Sequence, residues 1–303
     1  MRYNAHLNTG RVQTPTLAMI VKRDADIATF VKQKYFTVVL DMGFPAESAR
    51  IDEEHTADML ASSCNGKTVT VTDVKKEVKS ISAPKLFDLT FLQREANKKF
   101  GYTAQQTLDY MQSLYEKKLV TYPRTDSQYL SDDMEQTAYA LIPAISEHFG
   151  FGMVAEPNLK TVINNRKVTG HHAIIPTESG VKCDISALAV GEQNILKLVA
   201  LRLLCASASA YQYGVVKVTL SCENTEFTAS GKTVLESGWK ALDGKIGEAE
   251  KSDEKNLPDL EKGMTFTAKA VKSEHFTSPP KSFTDVIFCE RKEWIGIEER
   301  SSA

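Results

Sequence analysis

The pattern of hydrophobic and polar positions divides the chain into three stretches. Residues 34–42, Lys-Tyr-Phe-Thr-Val-Val-Leu-Asp-Met, are dense in β-branched and aromatic side chains and predict a strand. Residues 67–83 have the same character, with Val69 and Val71 alternating with threonine, and residues 56–63 between them predict a short helix ending at Asn65-Gly66. From Asp88 to about Tyr211 the period becomes helical. Thr103 followed by Gln106 makes a capping box, and Leu108, Met111, Leu114 and Tyr115 then fall on one apolar stripe, expected to be that helix's core face. Residues 132–147 and 192–208 predict two more helices, the second with Ile195, Leu196, Val199 and Leu203 on a broad apolar face. Alternation returns at Tyr213–Leu220, Thr225–Leu235 and Met264–Val271. Ahead of all this, Leu17, Ile20 and Val21 give residues 14–27 a helical spacing. Residues 244–262 are charged and small and predict a loop, and no internal repeat is visible.

The order is therefore β-rich, α-rich, β-rich. It predicts an α+β fold in which a helical domain is inserted into a β domain. The expected boundaries are a short helical segment at 1–29, a β-rich domain from 30–85 and 212–285, a helical domain at 86–211 and a tail at 286–303.

Composition narrows this only a little. The 303 residues are 42% hydrophobic and 25% charged, ordinary for a globular protein of two or three units. No apolar run reaches membrane-spanning length, so no membrane partner is expected. Cys64, Cys183, Cys205, Cys222 and Cys289 are scattered without a Cys-x-x-Cys pair, which argues against a zinc ribbon and for a reduced, cytoplasmic setting. The net charge of −2 does not advertise a nucleic-acid partner, but binding depends on local basic faces. Of the basic clusters, Lys117, Lys118 and Arg124 lead directly into the most informative run of the chain.

That run is Leu119-Val-Thr-Tyr-Pro-Arg-Thr-Asp-Ser127. Pro123 restricts Tyr122 to extended backbone, and Arg124 two positions on falls on the same side. A phenol and a guanidinium presented together suit a phosphodiester: the arginine grips the phosphate oxygens while the phenol oxygen attacks. Taken alone, the run also fits a loop tyrosine packed against its own fold.

Three further blocks give the run a context. They are Gly10-Arg-Val-Gln-Thr-Pro-Thr-Leu17, Asp88–Asn97 followed by Phe100–Leu108, and Gly170-His-His-Ala-Ile-Ile-Pro-Thr177. In this order and spacing the chain resembles the type IA DNA topoisomerases, and among them the bacterial topoisomerase III branch, over residues 7 to 285. The resemblance implies a β-rich hinge, or gate, carrying a helical domain with the nucleophile. Tyr122 would attack the backbone phosphate and retain the 5′ phosphate, Arg124 would steady the scissile phosphate, and His171 would sit beside the nucleophile. Thr121 and Asp126 would line the same pocket, with Asp126 orienting Arg124 or capping the next turn. Asn8, Thr9, Gly10, Arg11, Val12 and Gln13 would contact single-stranded DNA, Gly10 by close backbone approach. Asn8-Thr9 departs from the family's usual serine and small residue.

The resemblance also implies Mg²⁺ in the intact enzyme, held by a catalytic domain that precedes the Gly-Arg-Val-Gln block. Only about ten residues precede it here, so no metal is expected on this chain. Asp24-Ala-Asp26 reads as helix surface. Pro279-Pro-Lys-Ser-Phe-Thr284 matches the family, but the continuation from Asp285 to Ala303 does not. The expectation is a central fragment, inactive without its missing catalytic domain. A non-catalytic single-strand-binding module and a structural α/β protein are the alternatives.

Overall fold

The computed structural model describes residues 10, 13–246 and 256–283. Asn8, Thr9, Arg11, Val12 and the 286–303 tail lie outside them. The chain forms two compact units. One takes Met1–Lys75, Lys217–Ser230 and Leu257–Ala303, and the other Lys76–Val216 and Gly231–Asn256.

The first unit contains α1 (Gln13–Ala28), β1 (Lys34–Asp41), β2 (Pro45–Ser48) and α2 (Glu54–Cys64). It also holds β6 (Thr265–Thr267) and β7 (Lys269–Phe276). The chain passes between the units within β3 (Thr68–Ile81), β4 (Tyr211–Cys222) and β5 (Thr225–Glu236). The sheet order is β6-β3-β4-β5-β2-β1-β7. β1 buries Phe36, Val38 and Leu40 by simple alternation, with α2 packed against it and against β7. β7 pairs with β1 antiparallel over its whole length, from Lys34 opposite Phe276 to Asp41 opposite Lys269. The single strand expected at 264–271 is instead two. The ladder breaks at Ala268, whose N–H donates to Lys67 O and whose carbonyl accepts from Gly66, and β7 then runs on to Phe276. β2 was not expected, because Pro45-Ala-Glu-Ser48 has no strand-like composition. It forms because Gly43, at φ +87°, turns the chain back on β1, and Pro45 takes the strand's first position. Glu223 and Asn224, at φ +47° and +61°, close the β4–β5 hairpin as a two-residue type I′ turn.

The spacing of α1 is helical as expected, yet it buries no side chain; Leu17 is 61% exposed. Asp24 and Asp26 lie on its exposed surface. Arg23 donates to Lys281 O at 2.8 Å and covers the Phe283 ring at 4.6 Å.

The second unit is built around α6 (Val190–Ser207), which is buried on nearly every side. α3 (Leu89–Phe100) and α4 (Ala104–Glu116) share one apolar cluster with it, including Leu92, Met111, Leu114, Ile195 and Val199. α5 (Glu135–Phe149) shares the other, including Leu141, Ile145, Leu201 and Leu204. The short α7 (Lys240–Asp243) was not foreseen. The Thr103–Gln106 capping box forms with both bonds present. The face of α4 that goes inside is Thr107, Met111 and Leu114, whereas Tyr115 lies on the surface rather than in the core. Glu192 is buried at the start of α6. It accepts from Lys117 Nζ at 2.6 Å, Ser113 Oγ at 2.5 Å and Ala189 N at 3.0 Å, fastening α4 to α6.

The four described cysteines are free, with Cys64, Cys205 and Cys222 buried and Cys183 half-buried. Burial pushes the thiols of Cys205 and Cys222 up to about 12. No helix among the described residues is long and apolar enough to cross a membrane.

Candidate active site

The segment from Lys118 to Leu130 leaves α4 and is held between two other strips of backbone in the second unit. Lys118 takes a left-handed turn at φ +61°, and its carbonyl accepts from Thr177 Oγ1 at 2.7 Å. Leu119 O then accepts from Thr177 N, and Thr121 N donates to Ile175 O, so the two segments pair antiparallel around Val120 and Pro176. Gly180 fits tightly here: a Cβ on it would lie 2.0 Å from Leu119 O. On the other side Thr125 O accepts from Leu89 N, at the start of α3. Asp88 caps that helix, accepting from Phe91 N at 2.7 Å, and its second oxygen accepts from Gln128 Nε2 at 2.8 Å. Burial raises the Asp88 carboxyl above its ordinary range despite these donors, and the nearby Asp126 charge adds to the rise.

Within this clamp Tyr122 is half-buried, with Pro123 buried behind it and Arg124 exposed. The Tyr122 ring lies against His171, centroids 4.2 Å apart, and meets the edge of Tyr115 at 5.5 Å. His171 is exposed, and its carbonyl is fixed by Thr125 Oγ1 at 2.8 Å. His172 is turned away, its Nδ1–H donating to Ala173 O at 2.8 Å. The fold thus places Tyr122, Arg124 and His171 in one locality. Neither the Tyr122 hydroxyl nor the Arg124 guanidinium has a hydrogen-bond or ion-pair partner among the described residues.

Thr121 does not present its hydroxyl to a pocket: it donates to Ala173 O at 3.2 Å and accepts from Ile175 N at 3.0 Å. Asp126 is exposed, forms no ion pair with Arg124 and caps no helix among the described residues. Of the basic trio, Lys117 is spent on buried Glu192, leaving Lys118 and Arg124. Gly10 belongs to the first unit, and its N–H donates to Thr14 Oγ1 at 3.2 Å. Gln13 is exposed in the first turn of α1.

Sequence reasoning missed Tyr115, whose spacing matched a core stripe. It also missed the pairing of Tyr129 with Lys85 and Lys167, for which linear spacing carries no signal. Among the described residues no three His, Cys, Asp or Glu side chains gather in a way that would hold a metal ion.

A family model described as DNA topoisomerase matches residues 1–290. The chain belongs to the type IA DNA topoisomerases. Among members of this topoisomerase family, DNA topoisomerase 3 of Bacillus licheniformis is 37% identical over 310 residues, covering 94% of this chain and 41% of that protein. DNA topoisomerase 3 of Bacillus subtilis is likewise 37% identical over 311 residues, with the same coverage. The chain spans about two-fifths of the length of the curated topoisomerases it matches, 41% for these two. Full-length topoisomerase I from Thermotoga maritima superposes with a TM-score of 0.73 at 25% identity, covering 97% of this chain and 49% of that one. The α+β architecture is therefore that of a topoisomerase core.

Proposed function

We propose that Tyr122 is the nucleophile of a reversible DNA-strand cleavage, working on single-stranded DNA in the cytoplasm as part of a longer enzyme. The phenol gives up its proton as its oxygen attacks the backbone phosphorus, the bond from phosphorus to the 3′ oxygen breaks, and that oxygen takes up a proton, so none is gained or lost overall. The 5′ phosphate stays on Tyr122 until the 3′ hydroxyl reverses the step. Arg124 grips the non-bridging oxygens and the charge that develops on them, and His171 sits over the phenol ring. The observation that carries this reading is the geometry at Tyr122: a ring held at 4.2 Å from His171, with Arg124 unpaired two residues on. The second unit would then be the mobile domain carrying the nucleophile, and the first its hinge. The described residues do not fit a Mg²⁺ site, so no step is routed through a metal; the Mg²⁺ requirement belongs to the proposal for the longer enzyme.

The test is a chimera in which residues 1–290 replace the matched region of the Bacillus subtilis topoisomerase. With Mg²⁺ and a single-stranded oligonucleotide it is expected to form a covalent adduct that keeps a 3′-end label and releases a 5′-end label. Arg124→Ala should lower adduct formation by roughly 10²–10³-fold, as the loss of a charge-stabilising donor does. An adduct that survives Tyr122→Phe, or that keeps the 5′ label, overturns the assignment. Salt-dependent binding without any adduct would favour a non-catalytic single-strand-binding module.

A further inference from the structure

Seven positions beyond Tyr122 a second tyrosine sits among cations. Lys167 Nζ donates to the Tyr129 hydroxyl at 3.1 Å and lies 4.7 Å from its ring centroid. Lys85 Nζ approaches the same ring to 5.0 Å from the opposite side in sequence, just ahead of α3. Both lysines are exposed, and neither is paired with a carboxylate among the described residues. A neutral phenol accepts a hydrogen bond but cancels no charge. Each ammonium has three donors, so most remain available beside the phenol hydroxyl. The result is two uncompensated positive charges and a hydroxyl converging on one exposed spot. Their proximity favours the ionised phenol and lowers the Tyr129 pKa below its ordinary value, through the Lys85 contact first and the Lys167 contact second.

The cluster is also rigidly joined to the nucleophile's loop. Ser127 Oγ donates to Lys167 O at 2.9 Å and accepts from Tyr129 N at 3.1 Å. Ser127 N donates to Thr125 Oγ1, the same hydroxyl that holds His171 O. Ala173 N donates to Tyr129 O at 2.8 Å. Seven residues of chain reach at most about 25 Å, so the cluster lies within a few nucleotides of the scissile position.

We propose that Lys85, Tyr129 and Lys167 form a second phosphate subsite, which takes a non-scissile phosphodiester of the strand that Tyr122 attacks. The proposal rests on the DNA-cleaving reading above. Two cations around a hydroxyl suit a phosphate monoanion, and the shared hydrogen bonds to Ser127 and Thr125 convert its capture into placement of the next phosphates along the strand at Tyr122.

The test uses the 303-residue chain and a fluorescein-labelled single-stranded oligonucleotide, read by anisotropy across a salt series. Lys85→Gln and Lys167→Gln should each weaken binding several-fold. Together they should flatten the dependence of log affinity on log salt by about 0.7, the value for one lost phosphate contact on a single strand. Tyr129→Phe should weaken binding less than either lysine change. A neutral methylphosphonate walked along the oligonucleotide should weaken wild type at one non-scissile position and leave the double lysine variant unaffected there. Unchanged thermal midpoints show that the variants fold. If the double variant keeps wild-type affinity and slope while Arg124→Gln loses affinity, the subsite is wrong and the cleavage reading stands. If wild type itself shows no salt-dependent binding, both fall. If inorganic phosphate alone displaces the oligonucleotide from wild type and no methylphosphonate position matters, the site takes free phosphate and the DNA assignment is overturned.

Discussion

Thr121 spends its hydroxyl on Ala173 O and Ile175 N, and so fixes the backbone one residue before the nucleophile. Two carboxyl groups of the second unit, Asp88 and Glu192, depart from ordinary titration in opposite senses. Asp88 is raised by burial, so its folded form holds the proton more tightly than the unfolded chain does. Its contribution to stability is full below the unfolded value, about 3.9, and is lost as pH rises through the folded value. Glu192 is lowered: burial pushes it up, but Lys117, Ser113 and the Ala189 N–H together outweigh that. Its contribution is present above the unfolded value, about 4.3, and is lost as pH falls through the folded value. Acidification from neutrality should therefore gain stability at Asp88 and lose it at Glu192. Denaturant titrations at a series of pH values should show the first trend vanish in Asp88→Asn and the second in Glu192→Gln. At neutral pH, Asp88→Ala should cost about 1 kcal/mol for the lost helix cap alone.

At the scale of elements, the chain shows most where one face is buried and least where contacts decide. The capping box, β1 and α6 could be read in advance, since each follows from a repeated period or a local side-chain bond. β2, the break at Ala268 and the surface position of Tyr115 could not, because pairing and packing settle them and neither residue type nor period encodes that. Gly180 belongs with these: nothing beside it in the chain says that it must lie against Leu119 O. Gly180→Ala puts a methyl 2.0 Å from that carbonyl, and backbone must move to relieve it. We expect a loss of about 1–3 kcal/mol by thermal unfolding and a drop in adduct formation by the chimera, since the displaced strip carries Tyr122. Gly191→Ala meets the Tyr110 ring at 2.2 Å instead. It should destabilise by a similar amount, about 1–3 kcal/mol, while leaving the geometry of Tyr122 to the untouched clamp. Comparable adduct levels per folded molecule in the two variants would refute that distinction.

At the scale of the whole molecule the chain leaves the first unit within β3, returns within β4 and leaves it again within β5, so the second unit is built from two stretches, Lys76–Val216 and Gly231–Asn256. Tyr122, Arg124 and His171 were legible as one locality from residue type and spacing, and their part in cleavage is proposed. The hydrogen bonds that occupy Thr121 and Lys117 were not legible, because their partners lie far along the chain, at Ala173, Ile175 and Glu192. A polypeptide of these 303 residues carries Tyr122, the proposed nucleophile, but no cluster of metal ligands among its described residues. It is expected to leave supercoiled plasmid unrelaxed with Mg²⁺ in a gel assay, and relaxation that Tyr122→Phe abolishes would contradict this.

The distribution of the thiols has a practical consequence. Cys64, Cys205 and Cys222 are enclosed, and ionising Cys205 or Cys222 calls for strongly alkaline solution. Cys183 is the one half-buried thiol among the described residues; burial, and then the Asp184 charge, raise it too, and its Sγ lies 3.3 Å from Gly180 O, on the turn that presses against Leu119. In a Cys289→Ser background, a maleimide dye should therefore attach at Cys183 alone. Its emission would then follow the strip that carries Tyr122 in real time, as DNA arrives and leaves.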